Sequence, residues 1–249
     1  MTGSGNPDKK QNLLLITLFI TVTLFTAYRE GYLPIITGIF WFFILGGFAI
    51  SFWLAWGITT KRLLALILGI FIIEYIKESI GIMSGMWEYH GTNTFYNFGV
   101  WLWVLAGLTA YTLATRVVVK LIRKWNLPYG PQHNVAIIII VFLLIPVTLF
   151  SYWKGAGGWF WLLYLSLLIA GLYTARRLDF PLLAAIVVTS WIVGNPSEFL
   201  GSAASGVWTF PHNPHYPPIF LLFGCWPLEI LAQFALSAFL AQEPLDQYS

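Results

Sequence analysis

The sequence predicts an all-α membrane protein with about eight transmembrane helices, arranged as two parallel four-helix repeats with both termini in the cytoplasm. Three observations support this prediction. The chain is 58% hydrophobic and only 9% charged, and its mean hydropathy of +0.76 is more than a soluble domain needs for its core. Its basic residues gather on one side of the successive apolar segments. Two stretches, residues 74–104 and 198–229, carry the same landmarks in the same order.

Each predicted helix is an apolar segment close to or above the roughly 20 residues that span the hydrocarbon core of a bilayer. The eight segments are residues 12–29, 33–57, 61–84, 95–122, 134–153, 157–176, 179–200 and 217–241. The first segment lacks a small-x-small cleavage site, and Tyr28-Arg29-Glu30 follows it. We therefore expect a retained helix there and not a signal peptide.

The basic residues predict the orientation. With eight helices, most of them fall on one side of the membrane: Lys9, Lys10, Lys61, Arg62, Arg116, Lys120, Arg123, Lys124, Arg176 and Arg177. Only Arg29 and Lys154 fall on the other side. Since cytoplasmic loops carry the excess of Lys and Arg, both termini are predicted to lie in the cytoplasm. A bacterial or archaeal cytoplasmic membrane is the simplest location.

The predicted organisation is a polar, disordered N-terminal tail (1–11), two repeats (12–125 and 134–241) and a short acidic C-terminal tail (242–249). The loop at about 123–133, with two prolines and a glycine, separates the repeats. Because four is an even number, the repeats have the same orientation and are related by a pseudo-twofold axis along the membrane normal.

The repeat is clearest where one apolar segment passes to the next. The first copy reads Glu78-x-x-Gly81, then Ser84-Gly85-Met86-Trp87-Glu88-Tyr89-His90, then Phe98-Gly99-Val100-Trp101. The second reads Glu198-x-x-Gly201, then Ser205-Gly206-Val207-Trp208-Thr209-Phe210-Pro211-His212, then Phe223-Gly224-Cys225-Trp226. Both loops are predicted on the outer side of the membrane. Pro227, next to Gly224, is expected to kink the last helix.

Charged residues inside membrane segments are costly and point to function by default. Five stand out: Glu74, Lys77, Glu78, Glu198 and Glu229. At about 1.5 Å per residue, Glu74 lies roughly 18 Å from the start of its helix, which is near the bilayer midplane, and Glu229 lies at a similar depth. The four glutamates are the catalytic candidates.

Each charged residue also has a structural explanation. Lys77 is three residues from Glu74, so the two side chains share a helix face and can form a buried ion pair. Glu78 and Glu198 can instead cap the Ser-Gly loops through backbone N–H groups. Glu229 has no charged partner in its own segment. An unpaired carboxyl in hydrocarbon is expected to hold its proton, which makes Glu229 the favoured proton donor.

The tryptophans near the outer loops are typical of the aromatic belt at a membrane interface. This set contains Trp87, Trp101, Trp103, Trp208 and Trp226. Trp101 and Trp226 are deeper and hold equivalent places in the repeat, so they are also candidates to line a cavity. Aromatic faces stabilise cations. Substrate-binding candidates are therefore Trp87, Trp101, Trp208, Trp226 and Lys77.

No cofactor or metal site is predicted. Cys225 is the single cysteine, so an internal disulfide and a cysteine-rich metal site are excluded. His90, His212 and His215 fall in loops, where Asn213-Pro214 prevents a helical His-x-x-His pair. The chain also lacks a Gly-rich phosphate loop, a nucleophile elbow and an Asp-rich motif for a prenyl diphosphate. Nucleic acid is not an expected partner, because the basic residues follow the membrane pattern.

Pro227-Leu228-Glu229 follows directly on Phe223-Gly224-Cys225-Trp226. Together with the duplicated Gly-x-Trp loops, this resembles the lycopene-cyclase-type carotenoid proteins, which include two-part lycopene cyclases and carotenoid hydratases. Those cyclases carry Pro-x-Glu-Glu in a membrane helix. Here Ile230 replaces the second Glu, and the first half has Leu102-Trp103-Val104 in place of the motif. The resemblance implies acid-initiated addition to a polyene C=C, with Glu229 as proton donor.

The residues alone lead to a related hypothesis, an enzyme that protonates an isoprenoid lipid entering sideways from the bilayer. A neutral acid, an aromatic lining and excluded water suit this chemistry. One alternative is a proton-coupled transporter of small solutes that uses Glu74, Lys77 and Glu229 as a relay. A second alternative is a binding or structural membrane protein in which the acids only hold helices together.

Overall fold

The structure is a computed structural model that describes residues 9–36, 38–90, 95–126, 131–152, 158–212, 217 and 220–244. Within these residues the chain forms eight helices. They are α1 (Lys9–Arg29), α2 (Gly38–Ala55), α3 (Thr60–Met83), α4 (Phe95–Arg123), α5 (Pro131–Tyr152), α6 (Gly158–Ala175), α7 (Phe180–Ala204) and α8 (Leu221–Ala241). The predicted all-α class is confirmed, and the predicted segment ends lie within a few residues of these bounds.

Six of the eight helices are long and apolar enough to cross a membrane: α1, α2, α4, α6, α7 and α8. Helix α3 has 24 residues, but its charged side chains set it apart from the apolar spans. Helix α5 has a shorter apolar run, Gln132–Pro146. These features are compatible with an integral membrane protein, because a helix satisfies its own backbone hydrogen bonds in hydrocarbon.

The helices differ in how deeply they lie inside the bundle. Helix α8 is the most enclosed, with 83% of its apolar window buried, whereas α1 is at the periphery with 28%. Helix α3, which carries three of the charged residues, packs most extensively against α8 and also contacts α4. The polar side chains of α3 and α8 therefore face each other in the interior and are kept away from lipid.

The turns at the basic end of the bundle are built alike in the two halves. Asn12 of α1 donates from Nδ2 to the backbone oxygens of Ala55 (3.0 Å) and Ile58 (2.7 Å), just after α2. Asn134 of α5 donates in the same way to Ala175 (3.0 Å) and Leu178 (2.9 Å), just after α6. Both amides are buried and satisfy carbonyls at a helix C-terminus, which have no partner within the helix.

The loops at the opposite end pair with each other. Strand β1 (Glu88–Tyr89) and strand β2 (Trp208–Thr209) form a short antiparallel sheet, with Tyr89 opposite Trp208. Each strand follows a glycine in the left-handed region, Gly85 (φ 68°) or Gly206 (φ 62°). This conformation favours glycine over residues with a Cβ. The predicted Ser-Gly-x-Trp loops therefore meet at one end of the bundle.

Helices α4 and α8 both begin with a π-helical turn, at Phe95–Gly99 and Phe220–Cys225. Another π turn, Leu200–Ala204, closes α7. The second loop has one more residue between its Gly201 and Ser205 than the first has between Gly81 and Ser84. A π turn closes its hydrogen bond one residue later than an α turn, which accommodates the extra residue. Pro227, where the chain was expected to kink, lies two residues after the π turn of α8 ends.

Candidate functional site

The centre of the site is one turn of α3 in which Glu74, Lys77 and Glu78 share a face. All three side chains are buried. Lys77 is the only buried cation among the described side chains. Its Nζ lies 3.0 Å from Glu74 Oε2 and 2.8 Å from Glu78 Oε1. A third carboxylate, Glu229 of α8, lies 3.0 Å from the same Nζ. One ammonium group thus bridges three glutamates from two helices.

Helix α8 contributes a second polar group one turn after Glu229. Gln233 donates from Nε2 to Glu74 Oε1 at 2.7 Å, and its side chain is buried. The contact between α3 and α8 therefore holds Glu74 twice, directly through Gln233 and indirectly through Lys77, which also contacts Glu229.

Tryptophan rings enclose the ammonium group. Lys77 Nζ lies 5.0 Å from the ring centroid of Trp103 and 5.5 Å from that of Trp226. Both rings are buried and pack edge to face at 5.3 Å. Trp226 fits there because Gly194 of α7 has no side chain. A Cβ at that position would lie 2.4 Å from the indole. These aromatic faces favour a positive charge in this part of the interior.

A hydrogen-bonded chain leads from the cluster to the loops that carry β1 and β2. Tyr89 of β1 donates from its hydroxyl to Glu78 Oε2 at 2.7 Å and accepts from Trp103 Nε1 at 2.6 Å. Burial, and then the neighbouring Glu78 carboxylate, raise the pKa of Tyr89 well above its usual range. The phenol therefore stays protonated and remains a donor to Glu78.

Glu198 of α7 lies across a closed pocket from Glu78. Its Oε2 accepts from Trp208 Nε1 at 3.0 Å. The two glutamates line this pocket with Tyr89, Trp103 and Trp208, and the lining side chains leave no space among them for a water molecule. Trp103 and Trp208 pack against each other with tilted rings, 4.9 Å between centroids. The site thus has four buried carboxyl groups and one buried ammonium group.

The loops hold their tryptophans through matched contacts. The Trp87 ring lies over Gly81, where a Cβ would lie 1.9 Å from it, and the Trp208 ring lies over Gly201 at 1.8 Å. Met86 N donates to Gly81 O, and Val207 N donates to Gly201 O. The loop tryptophan therefore packs directly against the glycine of each Glu-x-x-Gly motif.

An apolar groove runs beside the cluster, between α2, α4 and α7, with a cavity volume of about 210 Å³. Its rim includes Phe42 and Ile192, which are 78% and 52% exposed on the side of the bundle. Its inner wall includes Trp103 and Trp208, which also line the closed pocket. The same two indoles therefore separate the groove from the carboxyl groups.

The structure corrects two expectations. Glu229 was expected to stand unpaired, and this is wrong, because Lys77 of another helix lies 3.0 Å away. The interfacial aromatic belt is wrong for Trp87, Trp103, Trp208 and Trp226, which are all buried. Exposed tryptophans occur elsewhere, at Trp53, Trp56, Trp125 and Trp159.

The remaining candidates fall in different places. The expected Glu74–Lys77 pair is present. Glu78 and Glu198 do contact the loops, through the side chains of Tyr89 and Trp208 and not through the predicted backbone N–H groups. Trp101 lies away from the cluster, half-buried against Phe19 and Phe71.

No group of three or more His, Cys, Asp or Glu side chains within the described ranges could hold a metal ion. The glutamates converge on the Lys77 ammonium, which occupies the position a cation would take. His90 takes part through its backbone, donating from N to Val207 O and accepting from the Tyr32 hydroxyl. His215 lies outside the described residues.

Three site residues were not among the sequence candidates: Gln233, Tyr89 and Trp103. Gln233 has a sequence signal, because it is four residues from Glu229 and so shares its helix face. Tyr89 and Trp103 sit in the repeat motif and the predicted belt, but only the folded loop brings both to Glu78.

No protein-family model matches this chain, and no curated protein or solved structure matches it either.

Proposed function

We propose that this chain is an integral membrane enzyme that protonates a C=C bond of a polyisoprenoid lipid and so starts cyclisation or hydration without a redox cofactor. The observation that carries the proposal is the buried cluster of four carboxyl groups around one ammonium group, walled by tryptophan and next to an apolar groove. The resemblance of Pro227-Leu228-Glu229 to the carotenoid proteins described above supports the same chemistry.

Charge balance makes the cluster a source of protons. Ionised carboxylates are expensive to bury unless they are paired. Glu74, Glu78 and Glu229 contact the Lys77 ammonium, and Glu198 lies across the adjoining pocket from Glu78. These four carboxyl groups and one ammonium group are neutral together when three of the carboxyl groups carry a proton. A protonated carboxyl group in a dry site is a good general acid. The enzyme would hold these protons close to a hydrocarbon lipid, which has no acidic proton of its own.

The proposed step moves one proton and one electron pair. A carboxyl group gives its proton to one carbon of the C=C bond, and the electrons of the π bond form the new C–H bond. The enzyme keeps a carboxylate, and the neighbouring carbon becomes a cation that faces the indole rings. In cyclisation a second C=C attacks the cation, and a proton returns to the carboxylate. In hydration a water molecule attacks, and its proton returns instead.

We assign the proton donor to Glu229, with Glu74, Glu78 and Glu198 as the carboxyl groups that store and return protons. Lys77 holds three of the acids together and fixes their positions. Trp226, with Trp208 and Trp87 in the loops, forms the cation-tolerant wall. Trp101, half-buried beside Phe19 and Phe71, would act at the edge of this wall.

We also propose that the chain consists of two parallel four-helix repeats, with both termini in the cytoplasm of a bacterium or archaeon. Matched details support this arrangement. Asn12 and Asn134 bind the ends of corresponding helices, and Gly85 and Gly206 begin corresponding strands. The basic end of the bundle, with Arg62 and Arg123, would face the cytoplasm.

A second function is favoured by one specific observation, that the acids of α3 and α8 all have partners in the interior. A non-catalytic membrane protein could use them only to join helices.

Lipid extracts from a polyene-accumulating bacterial host test the proposal. The host carries the wild-type chain, Glu229→Gln, the control Glu243→Gln or no chain. Glu243 forms an ion pair with Arg62 at 2.6 Å, but at the partly exposed end of the bundle. We expect an isomer or a water adduct of the polyene with the wild type and the control, and none with Glu229→Gln.

Protein amounts in the membrane, measured by quantitative immunoblotting, show whether each variant accumulates equally. Identical extracts in all four strains, across a panel of linear polyenes, would contradict the enzymatic proposal. Glu229 would then be a residue that joins α3 and α8.

A further inference from the structure

The groove between α2, α4 and α7 has the composition of a hydrocarbon-binding site. Its residues are almost all apolar, and it opens between exposed side chains on a face of the bundle made by helices suited to a membrane. A ligand that enters there comes from the bilayer, since burying a polar group against such a surface without a hydrogen bond is costly.

Glycine creates the groove on its α2 side. A Cβ added at Gly46 would meet no atom within 4 Å, and a Cβ at Gly47 would touch Leu105 and Thr109. Gly46 and Gly47 both line the groove. The space is thus left open at Gly46, where a larger residue would fill it, whereas Gly47 lets α2 pack closely on α4.

The inner end of the groove is joined to the acids by three hydrogen bonds along two routes. Trp208 donates to Glu198 at 3.0 Å, and Trp103 donates to Tyr89, which in turn donates to Glu78. Ser197, next to Glu198 in the chain, also lines the groove. Glu229 is not among the groove's lining residues. A chain lying in the groove would therefore approach the cluster from the side of Glu78 and Glu198, and the proton of Glu229 would reach it through the Lys77 ammonium and Glu78.

We propose that this groove binds one polyisoprenoid chain and presents it to the carboxyl cluster across the Trp103–Trp208 wall. This inference rests on the proposed function for its choice of ligand. It adds the place of binding, the direction of entry from the bilayer between α2 and α7, and the residues that enclose the bound isoprenoid. The continuity of the groove with the closed acid pocket favours a polyisoprenoid over an ordinary acyl chain.

Binding is measured without turnover by energy transfer from tryptophan to cis-parinaric acid, a conjugated polyene fatty acid, with the purified chain in phospholipid nanodiscs. Squalene, a linear isoprenoid, and oleic acid serve as competitors. We expect saturable transfer in the wild type, displaced by squalene at lower concentrations than by oleic acid, which resembles the probe more closely.

Gly46→Phe fills the groove and is expected to weaken parinaric acid binding by about tenfold or more, because overpacking excludes the chain. Gly38→Phe is the matched control, since Gly38 begins the same helix, has open space around it and does not line the groove. Ile192→Trp fills the groove from the α7 side, with Ile169→Trp on the exposed face of α6 as its control.

Wild-type binding by both Gly46→Phe and Ile192→Trp would overturn the inference. Displacement by oleic acid as readily as by squalene would also overturn it and assign the groove to bilayer lipid. The two proposals fail separately. Groove-dependent binding of squalene with no new product in the host leaves this inference standing and removes the enzymatic function. A product that forms normally in both groove variants removes this inference and leaves the enzymatic function standing.

Discussion

Helix α3 packs against α8 and α4 packs against α7, and the two contacts hold the same place in the two predicted repeats. The first contact carries Glu74, Lys77, Glu229 and Gln233. At the aligned positions the second carries Gly194, Ser197, Val104 and Leu108. The contact between α3 and α8 is therefore filled by buried charged and polar side chains. The contact between α4 and α7 has small or apolar residues at these positions, and a groove opens beside it.

In the proposed repeat, this difference divides two tasks between the halves. Both halves have the glutamate, Glu78 or Glu198, and the glycine on which the loop tryptophan packs, Gly81 or Gly201. The residues one turn before each glutamate differ. Gly194 admits Trp226 into the interior, whereas Glu74, at the aligned position, brings a carboxyl group to Lys77. Charge is concentrated in the contact between α3 and α8, and space lies beside the contact between α4 and α7.

The largest effect is expected from Lys77→Met, which removes the only cation from three buried carboxyl groups. Breaking a buried ion pair from one side costs about 3–5 kcal/mol. Arg62→Met is the matched control, because its 2.6 Å pair with Glu243 is partly exposed. It should cost less than about 1 kcal/mol. Thermal unfolding in detergent measures both, and equal losses would mean that the charged contact is no more important than a surface pair.

The loop glycines are expected to give the next largest effect. Gly201→Ala and Gly81→Ala both place a methyl group inside an indole ring and should each destabilise by about 1–3 kcal/mol. Gly201→Ala should be the more severe, because it also displaces the Trp208 hydrogen bond to Glu198. Trp87 Nε1 has no hydrogen-bond partner among the described residues. The same unfolding assay compares the two variants. A larger loss of stability in Gly81→Ala than in Gly201→Ala would contradict the greater contribution assigned to the Trp208 loop.

The buried asparagines should give the smallest and most nearly equal effects. Asn12→Ala and Asn134→Ala each remove two hydrogen bonds to carbonyls at a helix end. Each should destabilise by about 1–2 kcal/mol. Matched losses in the two single variants would support the repeat at the basic end of the bundle. A large loss in only one of them would show that the two halves are stabilised differently there.

Much of the fold could be predicted from the sequence, because the information is local. Runs of apolar residues define the helices, and the glycines before Met86 and Val207 mark turns that need a positive φ. The ion pair of Glu74 with Lys77 follows from a spacing of three residues on one helix.

The rest depends on contacts between distant residues. Glu229 meets Lys77 across 152 positions, so nothing in its own helix indicates that it is paired. Whether a tryptophan near a loop faces lipid or the interior depends on the glycine against which it packs. Trp226, for example, packs against Gly194 of another helix. The groove results from the way three helices pack together and leaves no motif in the sequence.

Deuterium transfer to a polyene tests the central claim most directly. The purified chain in nanodiscs is supplied with lycopene or another linear polyene in D₂O, and the recovered lipid is analysed by mass spectrometry. The chain is first equilibrated in D₂O so that its carboxyl groups exchange, and the wild type should then yield a cyclised or hydrated product with deuterium on carbon. Glu229→Gln should return the polyene unlabelled. Recovery of unlabelled, unchanged polyene from the wild type across the panel would contradict the account.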